Sequence, residues 1–286
     1  MKILVTGCDG NIGKQIAKNF LLKKIKNILL LFNNKNKKKN NKNKIYKDLT
    51  KPLSIKSDID TIIHCAGMTP NSKMNNMKKI YSLNLKIIKN IINFANKNNV
   101  KKIIFFSTID IYGSNRKNII NEDDLSIKPN LYAKSKIASE KLLCNKKNKF
   151  KSICLRLPGF LNPKLNKDYP ILIKLIKKIK KNQKIEVYSW DKKFNNIIDI
   201  DELLRFINFI KYKKLNSQIF NFSASNPIYF IDLINIIRNK FKSKSIILKN
   251  RTKKKSFVIS NKKLHKILKF KTSSTKKIIN RFLKNI

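Results

Sequence analysis

Three of the chain's six glycines fall within seven residues, Gly7-Cys8-Asp9-Gly10-Asn11-Ile12-Gly13. They follow Lys2–Thr6, a β-branched and apolar run. They precede Ile12 to Lys24, where Ile12, Ile16, Phe20 and Ile25 mark one helical face. A strand that turns through GxxGxxG into a helix needs glycine for a tight turn, for close approach of a ligand to the backbone, and for close helix–strand packing. The helix N-terminus then faces phosphate groups. With six glycines in 286 residues, a chance match has a probability of about 0.003. The spacing therefore points to dinucleotide binding.

The rest of the chain reads in the same key. Strand-like runs at Asn27–Phe32, Ile45–Asp48, Thr61–Cys65, Lys102–Ser107 and Ser152–Leu157 alternate with helical patterns over 74–97 and Leu131–Cys144. Ile28-Leu29-Leu30-Leu31-Phe32 lacks polar alternation, as expected where helices cover both faces of a parallel sheet. The predicted fold class is α/β, a Rossmann-type doubly wound parallel sheet with a smaller C-terminal α+β substrate lobe. The predicted boundary lies between residues 158 and 159. Prolines 158, 163 and 170 punctuate the passage into the lobe, where short strands (Ile185–Tyr188, Gln218–Phe222, Ser245–Leu248) mix with helices (171–181, 201–212, 230–241, 275–284).

Charge is the loudest feature and the least specific. The chain carries a formal +50, with 66 Lys plus Arg against 16 Asp plus Glu. Only six of the basic residues are Arg, and 39 Asn accompany the lysines along the whole chain. A nucleic-acid reader concentrates charge on one face and favours Arg for bidentate contacts. An even Lys/Asn/Ile skew reads instead as compositional drift on a solvated surface, with no dedicated nucleic-acid partner. Residues 33–44 hold six Asn and six Lys and read as a solvated loop. The four cysteines (8, 65, 144, 154) form no CxxC and pair with neither His64 nor His265 at metal spacing, so no metal site is expected. They fit reduced thiols and a cytoplasmic location. No apolar run reaches the ~18 residues of a membrane span.

A second motif is Tyr132-Ala133-Lys134-Ser135-Lys136. Tyr and Lys four apart share a helix face, and a nearby ammonium favours tyrosinate, giving a usable acid/base. About two such matches are expected by chance in so lysine-rich a chain, and Tyr188 with Lys192 is the other. Context separates them. Tyr132 opens a helix after the fifth strand, and Thr108 ends that strand, where ligands of open α/β sheets bind.

These residues carry a resemblance that runs through nearly the whole chain. Thr6–Gly13, Asp48-Leu49-Thr50, Thr61–Gly67, Asn84 and Ser107–Gly113 belong to it. So do Asn121-Glu122-Asp123-Asp124 leading through Pro129 to Tyr132 and Lys136, Leu155–Gly159, Ile198–Leu203 and Arg251. In this order the chain resembles an extended short-chain dehydrogenase/reductase of the NAD-dependent epimerase/dehydratase family, in its sugar-nucleotide branch. The two domains of such proteins interleave, and dimers through a helix bundle are common among them.

The resemblance implies roles. Thr108, Tyr132 and Lys136 would be catalytic. Tyr132 would move a proton on a sugar hydroxyl or carbonyl, Thr108 would hydrogen-bond that oxygen, and Lys136 would hold the nicotinamide ribose. Gly7, Gly10, Asn11, Ile12, Gly13, Asn33, Asp48, Leu49, Cys65, Ala66, Gly67, Asn84, Tyr132, Lys136 and Pro158 would meet the cofactor. Thr108, Asp110, Gly159, Asn195 and Arg251 would meet a nucleotide-sugar substrate. The cofactor would be NADP or NAD. No acid ends strand two, where Asn33, Asn34 and Lys35 stand, and this favours NADP.

Departures narrow the activity. Dehydratases of this kind follow the Thr with Asp-Glu, whereas this chain has Ile109-Asp110. An epimerase or 4-keto reductase therefore fits better than a 4,6-dehydratase; a catalytically silent dinucleotide-binding scaffold is the alternative outside the enzymes. Gly159 stands where an Asn is usual, and Asn195 where an Arg is usual. His64 reads as a satisfied core residue, Cys65 as an apolar filler, and Trp190 as a packing residue. Asp199, Asp201 and Glu202 read as charges at a helix start.

Overall fold

In a computed structural model the described residues are 2–33, 42–70, 76–113, 117–161, 170–250 and 257–286. Most of the Asn/Lys tract (34–41) and Arg251 lie outside them. The chain runs through β1 (Ile3–Thr6), α1 (Asn11–Leu22), β2 (Ile28–Phe32), β3 (Lys44–Tyr46), β4 (Thr61–His64), α2 (Met77–Lys97) and β5 (Lys102–Thr108). A 3-10 turn (Ile109–Tyr112), β6 (Ile119–Ile120), α3 (Leu131–Leu143), β7 (Lys151–Leu157) and β8 (Gly159–Leu161) follow. Next come α4 (Pro170–Lys180), β9 (Ile185–Tyr188), β10 (Lys193–Phe194), β11 (Ile197–Asp199), α5 (Ile200–Ile210) and β12 (Gln218–Asn221). The last elements are β13 (Ile228–Tyr229), α6 (Phe230–Lys240), β14 (Ile247–Asn250), β15 (Val258–Ile259), α7 (Lys262–Leu268) and α8 (Thr275–Lys284).

Seven strands form one Rossmann-type sheet in the order β12-β7-β5-β4-β1-β2-β3. The pairs β1–β2, β2–β3, β1–β4 and β4–β5 are parallel. The chain builds outward from β1 through β2 to β3, then crosses back to β4 on the other side. That reversal makes the carboxyl ends of β1 and β4 the switch point where such sheets open a crevice. All four residues of β1 and of β4 are buried, as continuous apolar strands covered on both faces must be.

One expectation is corrected here. Gln218–Phe222 reads in sequence as a strand of the C-terminal lobe, but β12 (Gln218–Asn221) is the edge strand of the main sheet. A four-residue half-buried run does not encode which sheet it joins.

The chain forms two compact units, both discontinuous. The first comprises Met1–Gly113, Leu125–Arg156 and Ile207–Phe220; the second comprises Ser114–Asp124, Leu157–Phe206 and Asn221–Ile286. In the first, Leu4, Leu29, Ile62 and Ile103 pack with Ile88, Ile91 and Phe94 of α2. Burying each such side chain contributes about 1.5–3 kcal/mol. Lys102 draws the later segment into this unit. Its buried ammonium donates to the carbonyls of Ile210 (2.7 Å), Lys211 (3.0 Å) and Lys213 (2.8 Å). These carbonyls lie at and just beyond the C-terminal end of α5, where a cation is favoured.

In the second unit Phe206, Phe222 and Phe270 form an aromatic cluster with centroids 5.0–6.1 Å apart. Asp199 caps α5 by accepting from the Glu202 amide at 3.0 Å. Arg281 of α8 then grips Asp199 with two bonds of 2.9 Å and reaches Glu202 at 3.3 Å. The three acids at the helix start are thus partners of a distant guanidinium as well as helix charges. Trp190 lies under the Lys249 ammonium at 4.8 Å.

Candidate active site

The first turn of α1 rises directly out of the glycine loop, and no side chain caps its N-terminus at Gly10. Gly7 sits at φ +72°, and a Cβ there would lie 2.5 Å from the Ala66 amide nitrogen. A Cβ on Gly13 would stand 2.2 Å from the Gly7 carbonyl oxygen. β1, β4 and α1 approach this closely only because both positions lack a side chain. Gly13→Ala should destabilise the protein by about 2 kcal/mol, the usual cost of overpacking a tight contact. Urea unfolding checks this, and an unchanged midpoint would contradict it.

Beside the loop lies a cleft of about 190 Å³. Of the residues expected to meet a cofactor, Gly7, Gly10, Asn33, Asp48, Leu49, Cys65, Ala66 and Gly67 line it. Asn11, Ile12 and Gly13 form the adjoining first turn of α1. The cleft also includes residues that sequence reasoning missed, among them Asp9, Lys47 and Met68. Asp9 accepts the Asn33 amide at 2.6 Å and so ties the glycine loop to the end of β2. A second cavity of about 370 Å³ shares Asp9 and Asn33 and is lined by Lys14, Lys44 and Tyr46. Asp48 accepts from the Thr50 amide (2.9 Å) and hydroxyl (2.8 Å). The first of these bonds is the main reason its carboxyl lies below the ordinary value.

Asn84 holds the loop after β4 in place. Its carbonyl accepts from the Met68 amide at 2.7 Å, and its amide donates to the Met68 carbonyl and the Ser135 hydroxyl at 3.1 Å. His64 is wholly buried, its Nδ1 2.7 Å from the Thr6 hydroxyl. Burial first, and then the Lys136 charge, bring its pKa down to about 3. Cys65 lines the cleft, with burial pushing its thiol well up.

Thr108, Tyr132 and Lys136 come together in the first unit. Asn130 caps α3 by accepting the Ala133 amide at 2.8 Å, which fixes the register of Tyr132 and Lys136 on that helix. Thr108 ends β5, with its side chain near enough to Tyr132 to act on the phenol. The Thr108 hydroxyl also accepts from the Asp110 amide at 3.2 Å, starting the 3-10 turn. Tyr132 is 8% exposed. Burial, reinforced by the Asp110 charge, raises its phenol above the ordinary value, while the neighbouring Thr108 side chain opposes this. Sequence spacing suggests that Lys136 would lower it. The structure differs because the Lys136 ammonium is aimed at the Phe106 carbonyl (3.0 Å) and lies 5.9 Å from the Tyr132 ring centre. Burial brings Lys136 down to about 8, and Glu140 is the leading influence holding it up. Asp110 reaches solvent, yet the protein around it raises its carboxyl.

Behind Lys136 stands a buried ion pair that sequence reasoning left unassigned. Arg156 of β7 meets Glu140 of α3 through Nε–Oε1 (3.0 Å) and a second nitrogen to Oε2 (2.7 Å). Its remaining nitrogen donates to the Tyr112 hydroxyl at 3.0 Å. The i+4 spacing of Lys136 and Glu140 was visible in sequence; the Arg156 partner was not.

Three expected site residues belong to the second unit. Pro158 is buried, and Gly159 opens β8, paired with Ile197 of β11. Asn195, expected to touch substrate, is instead 2% exposed and built into the core of its unit. It donates to the carbonyls of Ala224 (2.9 Å) and Ile259 (2.8 Å) and accepts the Ile259 amide (3.0 Å). The amide of Asn195 thus ties together the backbones of residues 224 and 259. Arg251 lies outside the described residues.

Comparisons with known proteins address the fold and the family. The chain is 29% identical to an uncharacterized protein of Methanocaldococcus jannaschii, over 99% of this chain and 96% of that one. It is 26% identical to the ADP-L-glycero-D-manno-heptose-6-epimerase of Brachyspira hyodysenteriae, over 85% and 82% of the two chains. Its fold superposes on the Bordetella bronchiseptica enzyme WbmG, solved with NAD and UDP, at a TM-score of 0.79 and 18% identity, covering 100% and 94%. Residues 3–221 match the family model for the NAD dependent epimerase/dehydratase family, and the chain belongs to that family.

Proposed function

We propose that this protein is an NAD(P)-dependent enzyme that epimerises or reduces a nucleotide-activated sugar by hydride transfer. The observation that carries the reading is the meeting of Thr108, Tyr132 and Lys136 beside a glycine-walled cleft in one compact unit. The cleft suits a dinucleotide. An uncapped helix N-terminus can take its diphosphate, and Gly7 and Gly13 let β1, β4 and α1 close up into the turn that presents it. When bound, the nicotinamide would supply or accept the hydride.

The chain's own residues do the rest. Tyr132 keeps its proton at neutral pH and can donate it to a sugar carbonyl oxygen as that oxygen gains charge. Thr108 holds the same oxygen. Lys136 places its positive charge beside the ribose and Tyr132. The family membership and the UDP in the WbmG structure favour a nucleoside-diphosphate sugar as substrate. Ile109 leaves Asp110 as the single acid after Thr108, which favours an epimerase or 4-keto reductase over a 4,6-dehydratase. Lys14 and Lys44 in the cavity beyond Asn33 favour a 2′-phosphate, and so NADP.

Two measurements test this. Incubation with UDP- and dTDP-sugars and their 4-keto forms should give either isomerised sugar without net cofactor change or stoichiometric loss of NADPH. Dinucleotide binding with no turnover on any of them would favour the scaffold reading. NADPH should raise the melting temperature more than NADH at equal concentration, because tighter binding to the native state stabilises it more. A larger shift with NADH would reverse the cofactor assignment.

A further inference from the structure

A buried ion pair is weak support for stability, since well-packed apolar groups usually serve as well. The Glu140–Arg156 pair therefore needs another explanation, with side chains only 2% and 4% exposed. Its place suggests one. Glu140 lies one helical turn after Lys136 on α3, as Lys136 lies one turn after Tyr132. Both Glu140 oxygens are held by the planar fork of Arg156, and Tyr112 fixes the far side of that fork, its ring 5.4 Å from the guanidinium carbon. The carboxylate is thus immobile.

We propose that Glu140 is a positioning residue: locked by Arg156 and Tyr112, its carboxylate keeps the neighbouring Lys136 ammonium charged and facing the Gly67 loop. The inference rests on the reading of Lys136 as the residue that holds the ribose and serves Tyr132. A Cβ on Gly67 would lie 3.7 Å from the Lys136 nitrogen, so the ammonium stands directly behind the cleft wall. The groups acting on Lys136 come from several elements. α3 contributes Tyr132 and Glu140, the end of β4 contributes His64 and Cys65, and β7 contributes Cys154 and the Arg156 guanidinium that pairs with Glu140. β5 contributes two uncharged groups, the Phe106 carbonyl and the Phe105 ring 4.7 Å from the ammonium. α2, packed on α3, contributes the neutral Asn84, bonded to Ser135. Both thiols are held protonated by their surroundings and His64 is held neutral, which leaves Glu140 as the anion of this set.

The test compares wild type with Glu140→Gln by two readouts. One is the pH profile of kcat/KM. The other is a ¹³C-lysine NMR titration of the protein without dinucleotide, the Lys136 resonance being identified by its loss in Lys136→Met. In wild type both midpoints should fall near pH 8. In Glu140→Gln both should move to lower pH by about one unit, as a buried ammonium loses its counter-charge. Glu140→Asp should restore most of the shift. A merely structural role would lower the melting temperature and leave both midpoints in place, and that outcome overturns the proposal.

If Glu140→Gln does not fold, the double variant Glu140→Gln/Arg156→Gln removes both charges and leaves no lone buried ion. A smaller displacement in the same direction is expected there, because the guanidinium charge leaves together with the carboxylate, and its absence overturns the proposal equally. Failure of the reaction reading would look different. Tyr132→Phe would keep full turnover while the NMR midpoint of Lys136 still answered to Glu140.

Discussion

Tyr132→Phe should lower turnover by about 10²–10⁴-fold, the usual contribution of a positioned acid/base. The substitution removes one hydroxyl and keeps the ring, so the buried volume against α3 is unchanged. Thr108 still accepts the Asp110 amide, and Lys136 still donates to Phe106. Dinucleotide binding, read as a thermal shift, should therefore persist while chemistry stops. The loss should appear in kcat as much as in kcat/KM, because the proton moves only in the transition state. Unchanged turnover on every nucleotide sugar that wild type converts would remove the basis for the enzymatic assignment.

The second large effect is acid lability centred on His64. In the unfolded chain its imidazole takes a proton near pH 6.5; in the folded protein it does so only near pH 3. Between those values the unfolded state binds more protons, so stability is full above pH 6.5 and falls as pH drops through the window. At about 1.4 kcal/mol per pH unit, about 3 kcal/mol is lost by pH 4. The chain's carboxylates add to this at the acid end, so the decisive comparison is with a variant that cannot protonate. His64→Gln loses the ring that stacks on Phe105, with centroids 5.9 Å apart, and starts from a lower stability at pH 7. Its unfolding free energy should nonetheless stay flatter than that of wild type between pH 6.5 and 4. Parallel curves would mean that His64 is not the titrating group.

Much of the first unit was legible from local chemistry. Glycine at 7 and 13, a β-branched run before them and an apolar face after them admit few arrangements other than a strand–turn–helix around an anion-binding turn. The same holds for the helix that follows Pro129, which sets Tyr132 and Lys136 on one face. Continuous apolar strands alternating with amphipathic helices dictated a parallel sheet, because only helices on both faces can cover such strands. The family resemblance, carried by the order of these motifs, also lay in the linear chain.

Other features needed distant partners. Arg156 stands in a quoted motif, yet its Glu140 lies 16 residues earlier and its Tyr112 lies 44 residues earlier. Asp199 and Glu202 read as helix-start charges until Arg281, about 80 residues on, closes on them. Asn195 was assigned to substrate by position, and the backbones of 224 and 259 claim its amide instead. β12 looks like any short strand, and the sheet it joins depends on where the chain returns after Lys102 has gathered the end of α5. Local backbone requirements leave a mark on neighbouring residue types, so turns, caps and periodicities can be read directly. A buried polar group only requires some partner, and which residue supplies it depends on chain segments that meet after folding.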